Sequence, residues 1–281
     1  MTILVTGARG NVGRRVLDRL HAAGHTLRAS GRTPAELSVP AGVDVVQLDL
    51  NSPDTFDAAL RGVDKAFLYA ESEGAKDLFA AAARAGVRHV VLLSSSTVGG
   101  PDAATDPLAV HHAAVEDALA ASALPGTVLR PGAFAGNAFG WSDAIRRGQP
   151  VRLPYAGAHT APVHEDDIAD VAVAALTDET LVGLSLTLTG PQSLTFREQL
   201  GILAELLGRE IAVQELTREQ AVEQMGRFVP APILTSLLDQ WAAAVGHPAG
   251  TTDTVERLTG RPARTFGRWA GENLGAFAAQ D

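Results

Sequence analysis

The feature that most constrains this chain is a glycine-rich turn between an apolar segment and a helix. Residues 3–5 are a short apolar run, which is typical of a strand buried on both faces. Gly7, Gly10 and Gly13 follow, and after them apolar residues recur at helical spacing. In such a motif the first glycine makes a tight turn, the second leaves room for a phosphate, and the third lets helix and strand pack closely. The pattern predicts a dinucleotide site, with the phosphates at the start of the helix.

Further apolar segments alternate with helical patterns, which is typical of a doubly wound parallel sheet. They span residues 26–30, 43–48, 65–69, 89–93 and 126–130. We therefore predict an α/β fold of the Rossmann type, with a dinucleotide-binding domain over residues 1–135. A smaller α+β substrate lobe, interleaved with the first domain, is predicted over residues 136–281. Within it we expect strands at 151–153, 161–163 and 184–189, and helices that begin at capping boxes on Thr195 and Thr217.

Composition excludes several classes of function. A chain of 281 residues with 46% hydrophobic content can bury a full core. The net charge of −9 and the lack of a basic run argue against nucleic-acid binding. There is no cysteine, so disulfides and thiolate nucleophiles are excluded. No apolar run approaches the roughly 20 residues of a membrane span, and we expect a cytoplasmic protein with no leader segment and no membrane partner.

The end of the second predicted strand indicates which cofactor is bound. An NAD site favours a carboxylate here, because it accepts hydrogen bonds from the ribose hydroxyls. This chain has Ser30, Gly31, Arg32 and Thr33 instead. The Arg32 guanidinium can pair with a 2′-phosphate. We therefore predict NADP(H) in preference to NAD(H), the alternative being that Arg32 is a solvated surface residue.

Thr6 followed by Gly-x-x-Gly-x-x-Gly resembles the short-chain dehydrogenase/reductase superfamily. Four further segments are similar to the NmrA-like NAD(P)-binding family, and they narrow the resemblance to that family. They are residues 129–134, 163–169, 188–191 and 260–266. This resemblance covers nearly the whole chain. It implies a cofactor site, but the family includes both reductases and non-catalytic redox sensors.

The resemblance also implies individual cofactor contacts. Arg9 lies where related reductases often carry a second phosphate-binding cation, and Asp49 where an Asp bonds the adenine amine. Tyr69 and Ala70 follow the fourth strand, and ligands of doubly wound sheets bind beyond the strand ends. The full set expected to bind the cofactor is Thr6, Gly7, Arg9, Gly10, Asn11, Val12, Gly13, Arg32, Asp49, Leu50, Tyr69, Ala70, Ser94 and Pro131.

The catalytic residues of ordinary superfamily members are missing. Those members place a Tyr-x-x-x-Lys pair on the helix after the fifth strand, whereas the two tyrosines here, Tyr69 and Tyr155, have no lysine four residues on. His112 and Glu116 occupy the corresponding positions. A nearby carboxylate raises the pKa of a histidine, so this pair is our candidate proton donor. The alternative is a pair that only stabilises its helix.

Aromatic and polar residues beyond the fifth and sixth strands are candidates for the substrate pocket. They are Ser95, Phe134, Asn137, Trp141 and Tyr155. Residues 164–167 resemble a metal cluster, but are better explained as acids at a helix N-terminus, so no metal is expected.

The leading hypothesis is therefore an NADPH-dependent reductase that acts on a small conjugated acceptor such as a quinone or an enone. The alternative is a sensor that binds NADP(H) without turnover and reports to a protein partner. A nucleotide-sugar epimerase is disfavoured by the missing Tyr and Lys. The sequence leaves open whether the protein forms a homo-oligomer.

Overall fold

The centre of the structure is a parallel sheet, which the computed structural model describes within residues 1–278. The strands are β1 (Thr2–Val5), β2 (Thr26–Gly31), β3 (Asp44–Gln47), β4 (Lys65–Tyr69), β5 (His89–Leu93), β6 (Gly126–Pro131), β7 (Val151–Pro154), β8 (His159–Thr160), β9 (Ser185–Leu188), β10 (Leu194–Thr195) and β11 (Val213–Leu216). Seven of them form one sheet in the order β3-β2-β1-β4-β5-β6-β9, and all neighbouring pairs are parallel. The predicted doubly wound sheet is confirmed.

Helices cover both faces of this sheet. They are α1 (Asn11–Ala22), α2 (Phe56–Leu60), α3 (Ala75–Arg84), α4 (Pro107–Ala120), α5 (Ser142–Arg146), α6 (Glu165–Thr177), α7 (Phe196–Leu207), α8 (Arg218–Met225), α9 (Ala231–Ala243), α10 (Thr254–Thr259) and α11 (Phe266–Glu272). Successive side chains of a strand point to opposite faces. Ile3 and Val5 of β1 therefore pack with α1 and α6, whereas Leu4 packs with α2 and α3. No helix of residues 1–278 is long and apolar enough to cross a bilayer.

The second half of the chain contributes to the main sheet as well as to a separate lobe. Helix α6 packs against α1, and β9 pairs with β6. Arg19 of α1 forms ion pairs with Asp166 and Asp170 of α6, at 2.7 and 2.6 Å. Arg264, near the C-terminus, pairs with Asp167 and Asp170 of the same helix. These contacts tie the C-terminal segment to the first helix.

The C-terminal lobe has its own apolar clusters. Trp269 and Phe266 are fully buried in one, and α9 contributes Leu234 and Leu238 to another. Both predicted capping boxes are present, at the starts of α7 and α8.

The predicted strand at 161–163 is wrong. The strand lies earlier, at β8, and Val163 forms a single bridge with Phe134. Between them Pro162 has no N–H for a ladder hydrogen bond.

Candidate active site

The glycine turn has the geometry that a dinucleotide site requires. Gly7 has φ +64°, a left-handed conformation that favours glycine. A Cβ on Gly13 would lie 2.4 Å from the carbonyl oxygen of Gly7, so helix and turn approach more closely than any other residue allows. Gly10 is the N-cap residue of α1, and it has no side chain that could accept a hydrogen bond from the first N–H groups of the helix. The turn therefore has the shape that a pyrophosphate site needs, at a helix start where the backbone N–H groups lack partners within the helix.

Tyr69 lies across this turn. A Cβ on Gly7 would meet its ring at 2.3 Å, and its hydroxyl accepts a hydrogen bond from the Gly13 N–H over 3.2 Å. Burial raises the pKa of the Tyr69 hydroxyl, which therefore stays protonated. The ring occupies the space in which the sequence pattern predicts the phosphates, so it must turn aside when a dinucleotide binds.

A cavity of about 460 Å³ lies between the glycine turn and the end of β2, where the sequence pattern predicts the adenosine end of the cofactor. It is lined by Gly7, Ala8, Arg9, Ser30, Arg32, Thr33, Glu36 and Leu37. The Ser30 hydroxyl is buried and has no hydrogen-bond partner among the described residues, so it can bind a ligand oxygen. Arg9 and Arg32 thus lie in one cavity, as a 2′-phosphate site requires.

Glu36 also lines this cavity and forms an ion pair with Arg9. The end of β2 carries no carboxylate, but the short helix Pro34–Glu36 brings one back to the site. Because it lies beyond a turn, the strand pattern does not reveal it. Asp49 and Leu50 follow β3, and neither of them is among the residues that line this cavity.

The residues expected to hold a proton donor are arranged differently from the prediction. The Ser94 hydroxyl donates to Glu116 over 2.5 Å. Arg130 donates to the same carboxylate through Nε, at 3.0 Å, and through Nη2. Glu116 is therefore bound by a serine and an arginine rather than by His112. Arg130 lies within residues 129–134, one of the segments that resemble the family. That segment does not indicate that Arg130 binds Glu116.

The expected rise in the pKa of His112 is wrong. Its pKa is lowered, first by burial and then by the neighbouring His111, and the carboxylates of Glu116 and Glu71 only partly oppose this. Its Nδ1 is buried with no hydrogen-bond partner in residues 1–278. His112 is thus uncharged at neutral pH, because burial disfavours the charged ring more than the carboxylates favour it.

A larger cavity, of about 1090 Å³, opens beside the end of β5. We call it the acceptor cavity. Its lining comes from the loop between β5 and α4 and from the segment that starts at α9, and consists of Ser96, Thr97, Gly100, Pro101, Asp102, Ala103, Thr105, Asp106, Pro107, Ala231, Pro232, Thr235, Ser236, Asp239, Gln240, Ala243, Ala244, His247 and Pro248. A Cβ on Gly132, which follows β6, would lie 3.8 Å from the Ser96 hydroxyl. The cavity therefore borders the turn expected to cover the nicotinamide.

The five residues predicted for the substrate pocket are scattered. Ser95 caps the short helix Ser96–Gly99 and is adjacent in sequence to the cavity lining. Phe134 pairs with Val163, and Asn137 follows it in the helix Ala135–Trp141. Trp141 packs edge-on against Phe196, with ring centroids 6.0 Å apart. Tyr155, the only residue other than glycine with positive φ in the described chain, packs against the apolar cluster formed by β11, α8 and α9. None of the five lines the acceptor cavity.

The acids at residues 165–167 lie in the first turn of α6, as predicted. His164 Nε2 lies 3.1 Å from Glu272, and its Nδ1 accepts the Asp166 N–H at 3.1 Å. Asp166 also forms ion pairs with Arg15 and Arg19. Both ring nitrogens and the carboxylate thus have protein partners.

Known proteins resemble this chain over its full length. The NAD(P)H-binding family matches residues 7–179. A (4-alkanoyl-5-oxo-2,5-dihydrofuran-3-yl)methyl phosphate reductase of Streptomyces griseus is 40% identical over 283 residues, 99% of this chain and 100% of that protein. An NAD(P)H azoreductase of Xenophilus azovorans is 33% identical over 289 residues, 99% of each.

Solved structures share the fold. The triphenylmethane reductase of Citrobacter sp., complexed with NADP(H), has a TM-score of 0.81 at 24% identity, over 98% of this chain and 100% of that one. A mutant of NmrA has a TM-score of 0.78 at 19% identity, over 99% and 96%. The match to residues 7–179 and the two full-length relatives show that this chain belongs to the NAD(P)H-binding family, and the solved structures show that it shares the fold of the triphenylmethane reductase and of NmrA.

Proposed function

We propose that this protein is an NADPH-dependent reductase of a small conjugated acceptor, such as a C=C bond conjugated to a carbonyl group, or a quinone. When bound, the cofactor supplies the hydride. The glycine turn and the N-terminus of α1 bind its pyrophosphate, and Arg9 and Arg32 bind the adenosine end. The acceptor cavity receives the substrate beside the end of β5.

The preference for NADPH is supported by the two arginines of the adenosine cavity. A guanidinium can hold a phosphate through two hydrogen bonds, which a ribose hydroxyl cannot match. Glu36 reduces the positive charge there, because it pairs with Arg9. We therefore propose that Arg32 supplies most of the discrimination between the two cofactors.

The observation that carries the acceptor class is the cluster of Ser94, Glu116 and Arg130. The single proton of Ser94 points to Glu116, and Glu116 accepts hydrogen bonds from Arg130. Neither side chain is therefore placed to protonate a substrate oxygen. His112 is uncharged at neutral pH, since its pKa is lowered. A site of this kind favours acceptors that need little protonation.

The size of this effect can be judged from product acidity. A simple ketone leaves an alkoxide, whose conjugate acid has a pKa near that of water, about 15.7. A quinone leaves a phenolate-like anion, whose conjugate acid has a pKa of roughly 10. The difference of roughly six units corresponds to about 8 kcal/mol that a proton donor would otherwise have to supply. Conjugated acceptors avoid most of this cost.

The names of the full-length relatives support the proposal. Both are reductases. The ring in the name of the Streptomyces griseus enzyme carries a C=C bond conjugated to a lactone carbonyl and to an alkanoyl group. Hydride addition to such a bond gives an enolate whose negative charge is delocalised over two carbonyl groups. An acceptor with this doubly conjugated ring is therefore our first choice of substrate.

The test is NADPH oxidation by the full chain, followed by absorbance over a matched panel of acceptors. The panel contains quinones, enones, 4-alkanoyl-5-oxo-2,5-dihydrofurans and simple ketones of similar size. We expect turnover with the conjugated members and little with the ketones. Equal or faster ketone reduction would contradict the proposal. NADPH binding with no turnover of any acceptor would instead favour the sensor.

A further inference from the structure

The acceptor cavity has a marked imbalance of charge. Asp102, Asp106 and Asp239 line it, and no lysine or arginine is among its lining residues. Aspartates are ionised at neutral pH. Arg218 lies next to the cavity but is paired with Asp239, Nη2 to Oδ1, at 2.7 Å. The cavity therefore presents three carboxylates, and its basic lining residue is His247 rather than a lysine or an arginine.

Some of its hydrogen-bond donors are also committed to the protein. The Ser236 hydroxyl and the Gln240 amide both donate to Asp106, each over 2.7 Å. The Leu108 N–H donates to the same carboxylate over 2.8 Å. A hydroxyl has one proton to donate, so Ser236 has none left for an incoming anion.

Two hydroxyl groups of the β5–α4 loop are used in the same way. Thr97 donates to the Ser95 hydroxyl over 2.9 Å, and Thr105 donates to the carbonyl oxygen of Asp102 over 3.3 Å. An incoming phosphate would therefore meet three carboxylates, and the side-chain donors left to it in the lining are those of Ser96, Thr235 and His247. Arginine and lysine, which commonly recognise phosphate in proteins, are missing from this lining.

We propose that the acceptor cavity takes a conjugated acceptor without an anionic group, either uncharged or cationic, and discriminates against phosphate esters. This inference rests on the proposed function, because it assumes that the reduced acceptor binds in this cavity. Carboxylates within a Debye length, about 8–10 Å at ordinary ionic strength, repel a dianion and attract a cation. This discrimination requires no movement of the chain, because the carboxylates already line the cavity.

A matched pair of acceptors tests this inference. The two compounds share one 4-alkanoyl-5-oxo-2,5-dihydrofuran ring and differ only in a hydroxymethyl or a phosphorylated hydroxymethyl group. We expect kcat/KM to favour the alcohol by at least about tenfold at low salt, and the ratio to shrink as salt is added. Equal rates, or a preference for the phosphate, would overturn the inference.

Charge variants identify the cavity as the source of the discrimination. Asp102 is exposed, so Asp102→Lys should fold normally and reduce the ratio several-fold. Asp239→Asn should reduce it further, because it removes one carboxylate and releases Arg218. The double variant Asp239→Asn/Arg218→Gln should restore part of the ratio, because the released guanidinium is no longer present. Asp77→Asn, an exposed carboxylate on α3, is the control that should leave the ratio unchanged.

Two outcomes separate this inference from the proposed function. If neither compound is reduced, calorimetric titration of each into the NADPH-loaded protein still ranks their affinities, and tighter binding of the phosphate would overturn the inference. A ratio that Asp102→Lys and Asp239→Asn both leave unchanged would overturn it as well, even if turnover is fast.

Discussion

The Tyr69 hydroxyl accepts a hydrogen bond from the Gly13 N–H over 3.2 Å, so a phenol ring covers the start of α1. In the family to which this chain belongs, the same N–H groups are expected to bind the cofactor pyrophosphate. The ring and the phosphates therefore compete for one position. Cofactor affinity should reflect the cost of moving the ring.

We expect Tyr69→Ala to bind NADPH more tightly than the parent protein. The variant loses a hydrogen bond worth about 0.5–1.5 kcal/mol that the parent must break, which corresponds to roughly two- to tenfold in affinity. Fluorescence titration measures the change. Phe228→Ala, which removes an exposed aromatic ring in the loop before α9, is the control. Weaker binding by Tyr69→Ala would mean that the ring supports the cofactor rather than competing with it.

Arg32→Ala should remove most of the preference for NADPH over NADH. A charge-assisted phosphate contact is worth roughly 1.5–3 kcal/mol, or about ten- to a hundredfold in affinity. Paired titrations with the two cofactors measure the ratio. NADH affinity is the internal control, since it should change little. Equal affinities in the parent protein would already show that the NADP assignment is wrong.

Glu36→Gln should strengthen NADPH binding modestly, because it frees Arg9 and removes a negative charge from the adenosine cavity. Both side chains of this pair are largely exposed, so the gain should be up to about fivefold, the range of a surface ion pair. In an Arg9→Ala background the same substitution should have a smaller effect. A full gain in that background would show that Glu36 acts on the phosphate directly.

His112→Ala should lower turnover of a conjugated acceptor only a few-fold at neutral pH. The pKa of His112 is lowered by burial, so the ring is uncharged there and is a poor acid. With a ketone acceptor, loss of a working general acid would cost about 10² to 10⁴. Rates of parent and variant measured across pH separate these cases. A large loss for the conjugated acceptor above pH 7 would show that His112 is the proton donor after all.

Stability should fall at acidic pH through His89, which is buried at the start of β5 and bonded to Thr127 at 2.9 Å. Burial, and then the charge of Lys65, lower the pKa of His89 from 6.5 to about 4. Protonation therefore favours the unfolded chain. The stabilisation is complete above pH 6.5 and is lost as pH falls toward 4, by about 3 kcal/mol. Denaturant titrations should show a smaller fall for His89→Gln than for the parent. His21→Gln, an exposed control, should behave like the parent.

The sequence by itself determined the parts of this protein that depend on near neighbours in the chain. The glycine turn and the capping boxes at Thr195 and Thr217 follow from local spacing, because turn conformations and cap hydrogen bonds involve residues a few positions apart. The strands β1 to β6 appear as short local apolar runs, although the hydrogen bonds that join them are long-range. The resemblance to the family depends on the same short motifs.

Tertiary structure decided which distant side chains meet. Tyr69 reaches Gly13 across 56 positions, and Arg130, not His112, binds Glu116. The acceptor cavity forms where α9 approaches the loop after β5, more than 120 positions earlier in the chain. A carboxylate, a guanidinium or a phenol can pair with many partners. Which partner it meets, and so the pKa of His112 and the charge of the acceptor cavity, depends on packing between elements that no local pattern specifies.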